Sequence, residues 1–342
     1  FKKKINVFNK KIDIPGDKSL SIRWALIASL SHGISRAQNL LMSEDVIATL
    51  KAIRKLGVKV SYNNKICEIH GSGVNGYKYK KGIIINAQNS GTLGRLIPGL
   101  LIDTPMPIKI TGDKSLSKRD FRRIAEPLSK FGANFNLKNG YGLPLVIKGS
   151  QTLKPIKFFE KKGSAQCKSS IIFAGIKAEG KTIIKAKKSR NHTELLFKYL
   201  KLPIKVKKRK TFDLIEINRV NKIKPINYNI PSDISSSAFF IVLTILSKKS
   251  QLIIKNININ PTRRGMITIL KKMGASISFQ NKKTYKGELI ADLSVKSSKV
   301  LKSINCPAEL NSGAIDEFLV IFLVAAKARG ISYFKNLDEL NK

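Results

Sequence analysis

An α/β fold of two domains, assembled from repeated helix–strand–helix–strand units, is predicted for this chain by three observations. Its 342 residues exceed what one ordinary core holds and suggest about two cores. A helix start rich in small polar residues recurs at Ser19-Leu-Ser, Asn89-Ser-Gly-Thr, Ser164-Ala-Gln, Ser235-Ser-Ser-Ala and Asn311-Ser-Gly-Ala, at separations of 70, 75, 71 and 76 residues. Self-similarity at a fixed period is the mark of stacked units that share a core. A second helix with amphipathic spacing then follows, at 45–57, 121–132 and 266–274.

Each small-polar start leads into an apolar run, such as Ala25 to Leu30 or Ile171 to Ile176. Three runs then reach a glycine and a β-rich stretch, at Gly33, Gly180 and Gly330. The second helices close on Gly57, Gly132 and Gly274, which suit the left-handed C-terminal cap. A short strand is expected after each, at Val58-Lys-Val, Ala133-Asn-Phe and Ala275-Ser-Ile. The stretch 192–206 reads as a degraded copy, with Pro203 in place of the capping glycine. Four units are complete, and a fifth reaches Lys342 where its second helix is due. The sequence is therefore expected to stop before its last repeat, and its start at Phe1 without Met suggests a few missing leading residues.

Composition narrows the class. Hydrophobic residues make up 42%, which is globular. No stretch approaches the roughly 18 to 20 uninterrupted apolar residues of a membrane span; the best, Ala314 to Ala328, contains Asp316, Glu317 and Lys327. Cys67, Cys167 and Cys306 form no Cys-x-x-Cys pair, which argues against disulfides and zinc and for a reducing cytoplasm. The three histidines show no metal spacing, so neither metal nor cofactor is expected. A net charge of +42 admits nucleic acid, a membrane surface or small anions as partners. The lysines and arginines are spread over every segment with no nucleic-acid motif among them, so they read as solvated faces.

Helix N-termini offer unpaired N–H groups and a partial positive charge, which together bind anions. Each recurring start could equally be an ordinary N-cap. What sets them apart is company: Lys18 and Arg23 flank the first, Arg95 follows the second, and Arg119 is expected to open a helix soon after.

At this point the blocks carry a family resemblance. Pro15-Gly-Asp-Lys-Ser-Leu-Ser-Ile-Arg23 and Asn89-Ser-Gly-Thr-Leu-Gly-Arg95 resemble signatures of the EPSP synthases. Gly112 to Arg119, Ser164-Ala-Gln166, Ser189 to Glu194, Pro231 to Ala238, Asn260-Pro-Thr-Arg263 and Ile315-Asp-Glu317 match further blocks in order. The departures, Ile22, Trp24, Lys118, Asp120 and Asn191, remove no needed charge. The family's catalytic Glu, its neighbouring Lys and a late Arg would follow Asn336-Leu-Asp-Glu-Leu-Asn-Lys342, so this chain alone is expected to be inactive.

The resemblance implies an inside-out α/β barrel in each of two domains, one over 17–230 and the other over 1–16 plus 231–342, with the active site in the cleft. It implies enolpyruvyl transfer from phosphoenolpyruvate to the 5-hydroxyl of shikimate 3-phosphate, and a monomer. Lys18, Ser19, Arg23, Ser164, Ala165, Gln166, Ser189 and Asp316 would hold shikimate 3-phosphate. Lys18, Asn89, Gly91, Arg119 and Gln166 would hold phosphoenolpyruvate. Asp316 would deprotonate the hydroxyl with Lys18 assisting, although an Asp in the first turn of an apolar helix is also ordinary capping chemistry. His192 reads as capping or packing, Trp24 as core or rim, and Cys167 as passive. The rivals are the sister transferase acting on UDP-N-acetylglucosamine, whose Lys-Asn differs from Lys18-Ser19, and a basic nucleic-acid-binding protein.

Overall fold

The structure, a computed structural model, describes residues 7–337 and 340. Asp338 and Glu339, and the final Asn341 and Lys342, lie outside the described residues. The chain forms two compact units: Lys18–Ile230, and Phe1–Asp17 with Pro231–Lys342.

The second of these takes β1 (Asn9–Ile12) from the chain's start. The Lys18–Ile230 unit then holds three copies of one pattern. The first copy runs α1 (Lys18–Ser29), β2 (His32–Gln38), α2 (Glu44–Lys55), β3 (Lys59–Asn63) and β4 (Ile66–Ser72). The second runs β5 (Ile84–Asn86), α3 (Gly91–Leu100), β6 (Ile108–Thr111), α4 (Lys114–Ser117), α5 (Arg122–Ser129), β7 (Asn134–Lys138) and β8 (Gly142–Lys148). The third runs β9 (Lys157–Glu160), α6 (Ala165–Gly175), β10 (Lys181–Lys187), α7 (His192–Tyr199), β11 (Ile204–Lys208) and β12 (Phe212–Asn218), and β13 (Tyr228–Asn229) ends the unit.

Each copy makes one four-stranded sheet: β13-β2-β4-β3, β5-β6-β8-β7 and β9-β10-β12-β11. In all three one edge strand pairs parallel and the rest pair antiparallel, and in the second and third that strand precedes the copy's first helix. β13, last in the unit, supplies that edge strand to the first sheet. The strands alternate buried and exposed, as in β10, where Thr182, Ile184 and Ala186 face inward, so each sheet covers a core with one face.

The other unit repeats the pattern. α8 (Ile234–Leu246), β14 (Gln251–Asn258), α9 (Gly265–Lys272), β15 (Ser276–Tyr285) and β16 (Glu288–Lys296) build a sheet in the order β1-β14-β16-β15. α10 (Asn311–Ala314), a 3-10 turn at Ile315–Glu317 and α11 (Phe318–Ala325) follow. The β-rich stretch expected after Gly330 is reduced to the single bridges Lys302–Arg329 and Asn305–Tyr333. α8 and α11 contribute Ile234, Ile241, Ile245, Phe318, Ile321 and Val324 to the core. Among the described residues no helix is long and apolar enough to cross a membrane.

The capping glycines take positive φ, with Gly57 at 86°, Gly132 at 114° and Gly274 at 91°. In the degraded third copy Pro203 does not take that place. Lys201, directly after the last helical turn, carries the left-handed φ of 55°, because the reversal falls at that position whatever residue stands there. Arg119 also departs from expectation: it lies between α4 and α5, since Asp113 caps a separate short turn by accepting from the Leu116 N–H at 2.7 Å.

α1, α3 and α6 are the innermost helices of their unit. α6 is buried from Cys167 to Gly175 and α1 from Leu20 to Ser29. Trp24 is fully buried, its indole N–H donating to Ile226 O at 3.0 Å. α3 and α6 touch backbone to backbone: a Cβ on Gly99 would lie 2.2 Å from Ser170 O. A Gly99→Ala change is therefore expected to force the helices apart at a cost of about 1–3 kcal/mol, read as a lower unfolding midpoint in denaturant. An unchanged midpoint would mean that the helices do not cross there.

Candidate active site

The three inner helices start at the same end. Near their starts, Gln166 on α6 donates to Thr92 on α3 at 3.2 Å and accepts from Arg95 Nη1 at 2.6 Å. Arg23 on α1 reaches Ser169 on α6. Beyond their other ends, Lys177 after α6 binds Asp103 after α3 at 2.7 Å. Tyr77, under Lys177, meets Ser29 at the end of α1. Ser90 caps α3 by accepting from the Leu93 N–H, and Ser164 caps α6 by accepting from Cys167, each at 3.2 Å. The starts of α3 and α6 are thus N-caps. One orphan donor is satisfied at each while a partial positive charge persists.

Cations gather at this end. Arg23 is only 3% exposed. Its Nε donates to Thr193 Oγ1 at 2.9 Å, its Nη1 to Ser19 O at 3.1 Å and its Nη2 to Ser169 Oγ at 3.3 Å. Arg95 also lies over the Phe121 ring at 5.7 Å. Arg119 Nη2 makes a long 3.5 Å contact with Asn89 Oδ1, and Asn89 is itself fixed by donating to Asp113 Oδ2 at 2.6 Å. Gly91 makes room for this arginine, since a Cβ there would sit 3.0 Å from Arg119 Nη1. Lys18, at the first turn of α1, is half exposed, 3.7 Å from Asp45.

Ser189 follows β10, and Gly163 brings it close to Ser164: at a φ of +71°, a Cβ on Gly163 would lie 3.4 Å from Lys188 O. Ser189 Oγ is buried with no hydrogen-bond partner among the described residues. Lys18, Ser19, Arg23, Asn89, Gly91, Arg119, Ser164, Ala165, Gln166 and Ser189 thus all belong to one unit. Sequence reasoning missed the residues that hold them: Ser169 and Thr193 for Arg23, and Asp113 for Asn89. It saw Arg95 only as a flank.

Asp316 lies in the other unit, on the 3-10 turn, with its side chain 47% exposed. Its Oδ2 accepts from Arg263 Nη1 at 2.8 Å. Arg263 Nη2 donates to Ser235 Oγ at 2.6 Å, and Ser235 donates on to Glu317. Burial would lower the Arg263 pKa, but the carboxylates of Asp17, Glu317, Asp316 and Asp233 outweigh it and raise it above its ordinary value. This arginine is a fixed counter-ion that orients Asp316.

A cavity of about 290 Å³ opens at the opposite end of the inner helices, lined by His32, Asn75, Lys177 and Arg219 among others. Its cations are matched by acids, Lys177 by Asp103 and Arg219 by Glu179, so it offers an anion less. His192, 1% exposed at the start of α7, is packed rather than presented to a ligand.

Comparison with known proteins gives the family and the fold. Residues 2–342 match the family described as EPSP synthase (3-phosphoshikimate 1-carboxyvinyltransferase). A 3-phosphoshikimate 1-carboxyvinyltransferase of Ruthia magnifica subsp. Calyptogena magnifica is 41% identical over 99% of this chain and 76% of its own length. One of Legionella pneumophila (strain Paris) is 40% identical over 99% and 77%. An EPSP synthase structure from Acinetobacter baumannii superposes with a TM-score of 0.85 at 37% identity, over 95% of this chain and 72% of that one. The enolpyruvyl transferase NikO from Streptomyces tendae, at 13% identity and a TM-score of 0.73 over 95% and 74%, shares the fold.

Cys167 is buried beside Gln166, its thiol donating to Arg123 O at 3.1 Å. Burial pushes the Cys67 and Cys167 thiols up to about 12. At pH 8 almost no thiolate forms, and thiolate is the reactive species. Native protein is therefore expected to resist thiol reagents at both positions, and to release all three thiols on unfolding. Rapid labelling of Cys67 or Cys167 in native protein would contradict the packing.

Proposed function

The chain belongs to the EPSP synthase family, the 3-phosphoshikimate 1-carboxyvinyltransferases, and on that premise we propose which residues do the work. The family reaction moves the enolpyruvyl group of phosphoenolpyruvate to the 5-hydroxyl of shikimate 3-phosphate, within the route to aromatic amino acids. The hydroxyl oxygen attacks C2 as C3 gains a proton. Phosphate then leaves with loss of a proton from C3, giving the enol ether.

Both substrates are polyanions, and the convergence of three helix starts with Arg23, Arg95 and Arg119 is the observation that carries the reading. Lys18, Ser19, Arg23, Ser164, Ala165, Gln166 and Ser189 bind shikimate 3-phosphate. In this role Ser189 Oγ gains the partner it lacks, and Arg23 arrives already oriented, so less ordering entropy is lost on binding. Lys18, Asn89, Gly91, Arg119 and Gln166 bind phosphoenolpyruvate, with Arg119 suited to its carboxylate by a planar fork. Asp316 orients the 5-hydroxyl and takes its proton, with Arg263 fixing the carboxylate. Lys18, touching both ligands, steadies the charge that develops between them. A cytoplasmic setting suits three buried free thiols.

In the full-length protein, Lys18→Met is expected to abolish turnover. Arg23→Ala is expected mainly to weaken shikimate 3-phosphate, by on the order of 2 to 5 kcal/mol for a buried charge-assisted contact. Near-normal kinetics in Lys18→Met would remove that residue from the reaction.

Gly91 generates a sharper expectation. An added methyl would press on Arg119 Nη1 from 3.0 Å, so the pocket must give at one side. Glyphosate, which inhibits the family by occupying the phosphoenolpyruvate pocket, is longer than phosphoenolpyruvate and should suffer more, by about 1–3 kcal/mol or roughly 5- to 150-fold in affinity. Gly91→Ala is thus expected to raise the inhibition constant more than the Michaelis constant for phosphoenolpyruvate. Equal rises would show that the methyl disturbs only the turn.

A further inference from the structure

Beneath Arg23 lies an ion pair that the reaction does not use. Lys168 on α6 is completely buried, and its Nζ lies 2.7 Å from Oε1 of Glu194 on α7, whose side chain is 3% exposed. Stripping water from two charges is costly, and well-packed apolar residues in their place are often no less stable. The surroundings could have been apolar: Ile171, Ile172, Phe173, Leu196 and Phe197 are all buried on the same two helices. Stability alone does not explain why a lysine and a glutamate stand there.

The next residue on each helix supplies a reason. Ser169 follows Lys168 and Thr193 precedes Glu194, and their hydroxyls are 2.8 Å apart. Those hydroxyls receive Arg23, through Nη2 and Nε. Two rungs therefore tie α6 to α7, one charged and one hydroxylic, and Arg23 rests on the second. Hydroxyls rotate and tolerate sliding. A buried ion pair does not, because a slip of α7 along α6 would leave two charges unpaired in the core. The charges also cancel at short range, so the pair acts on Arg23 through geometry more than through its field.

We propose that the Lys168–Glu194 pair is a positioning device that fixes the register of α7 against α6 and so holds Arg23 in the orientation that binds shikimate 3-phosphate. It rests on the reading of Arg23 as a ligand of that substrate. Single substitutions would strand a buried charge, so the informative variant is Lys168→Met with Glu194→Leu, which removes both. In full-length protein this double variant is expected to keep its melting temperature within a few degrees of the parent. Its dissociation constant for shikimate 3-phosphate, read by titration calorimetry, is expected to rise by about tenfold or more, since a slip of about 1 Å can cost two orders of magnitude. Arg23→Ala should then cost much less in the double background than in the parent, because Arg23 is already displaced. A merely structural pair would leave that difference unchanged.

Lys168→Met with Glu194→Gln also removes both charges, with less change of side-chain shape at 194, and it supplies the test if the first double variant does not fold. It too is expected to weaken shikimate 3-phosphate. A native dissociation constant in either folded double variant overturns the proposal. If Arg23→Ala in the parent leaves that constant unchanged, the failure lies in the assignment of Arg23 itself. If Arg23→Ala weakens binding but the double variant does not, the positioning role alone is lost.

Discussion

Three buried helices begin side by side at one end of their unit, and the rest of the site depends on that. α3 and α6 cannot slide freely, because Gly99 lets their backbones meet at Ser170. Aligned helices put like dipole ends together, roughly half a positive charge at each start. At the far end the imbalance is met from within the chain, where Lys177 sits between Asp103 and the Tyr77 ring. Burial outweighs the opposing Asp103 carboxylate and lowers the Lys177 pKa from its ordinary value. At the near end Arg23, Arg95 and Lys18 add cations to helix starts that are already partly positive, an arrangement that favours anions.

How each cation is held decides what it can do. Hydroxyl, carbonyl and amide oxygens take part in orienting Arg23 and Arg95. Arg263 is treated in the opposite way, surrounded by Asp17, Asp233, Asp316 and Glu317, so its charge is spent inside the protein on aiming carboxylates. On the proposed assignment, the same side chain serves as a ligand-binding group in one unit and as internal scaffolding in the other.

Much of this was legible in the sequence because it is local. The five small-polar starts mark helices, and the glycines after the second helices mark left-handed turns, since both signals depend on a few adjacent residues. Lys18, Arg23, Gln166 and Asp316 stood out through blocks of neighbours. What could not be read depends on contacts between distant segments. β13 completing the first sheet is such a contact, as is Arg23 resting on Thr193. Lys168 gave no sign, being one of 64 lysines and arginines whose burial only the fold reveals. Pro203 misled because the left-handed turn belongs to a position, Lys201, and not to a residue type. Arg119 misled because Asp113 starts a separate short turn before it.

The most direct test is a crystal structure of the full-length protein with shikimate 3-phosphate bound. The ligand is expected on the first turns of α1 and α6, within hydrogen-bond reach of Arg23, Gln166 and Ser189. A ligand seated instead in the cavity beside His32, Asn75, Lys177 and Arg219, at the other end of the same helices, would contradict the account.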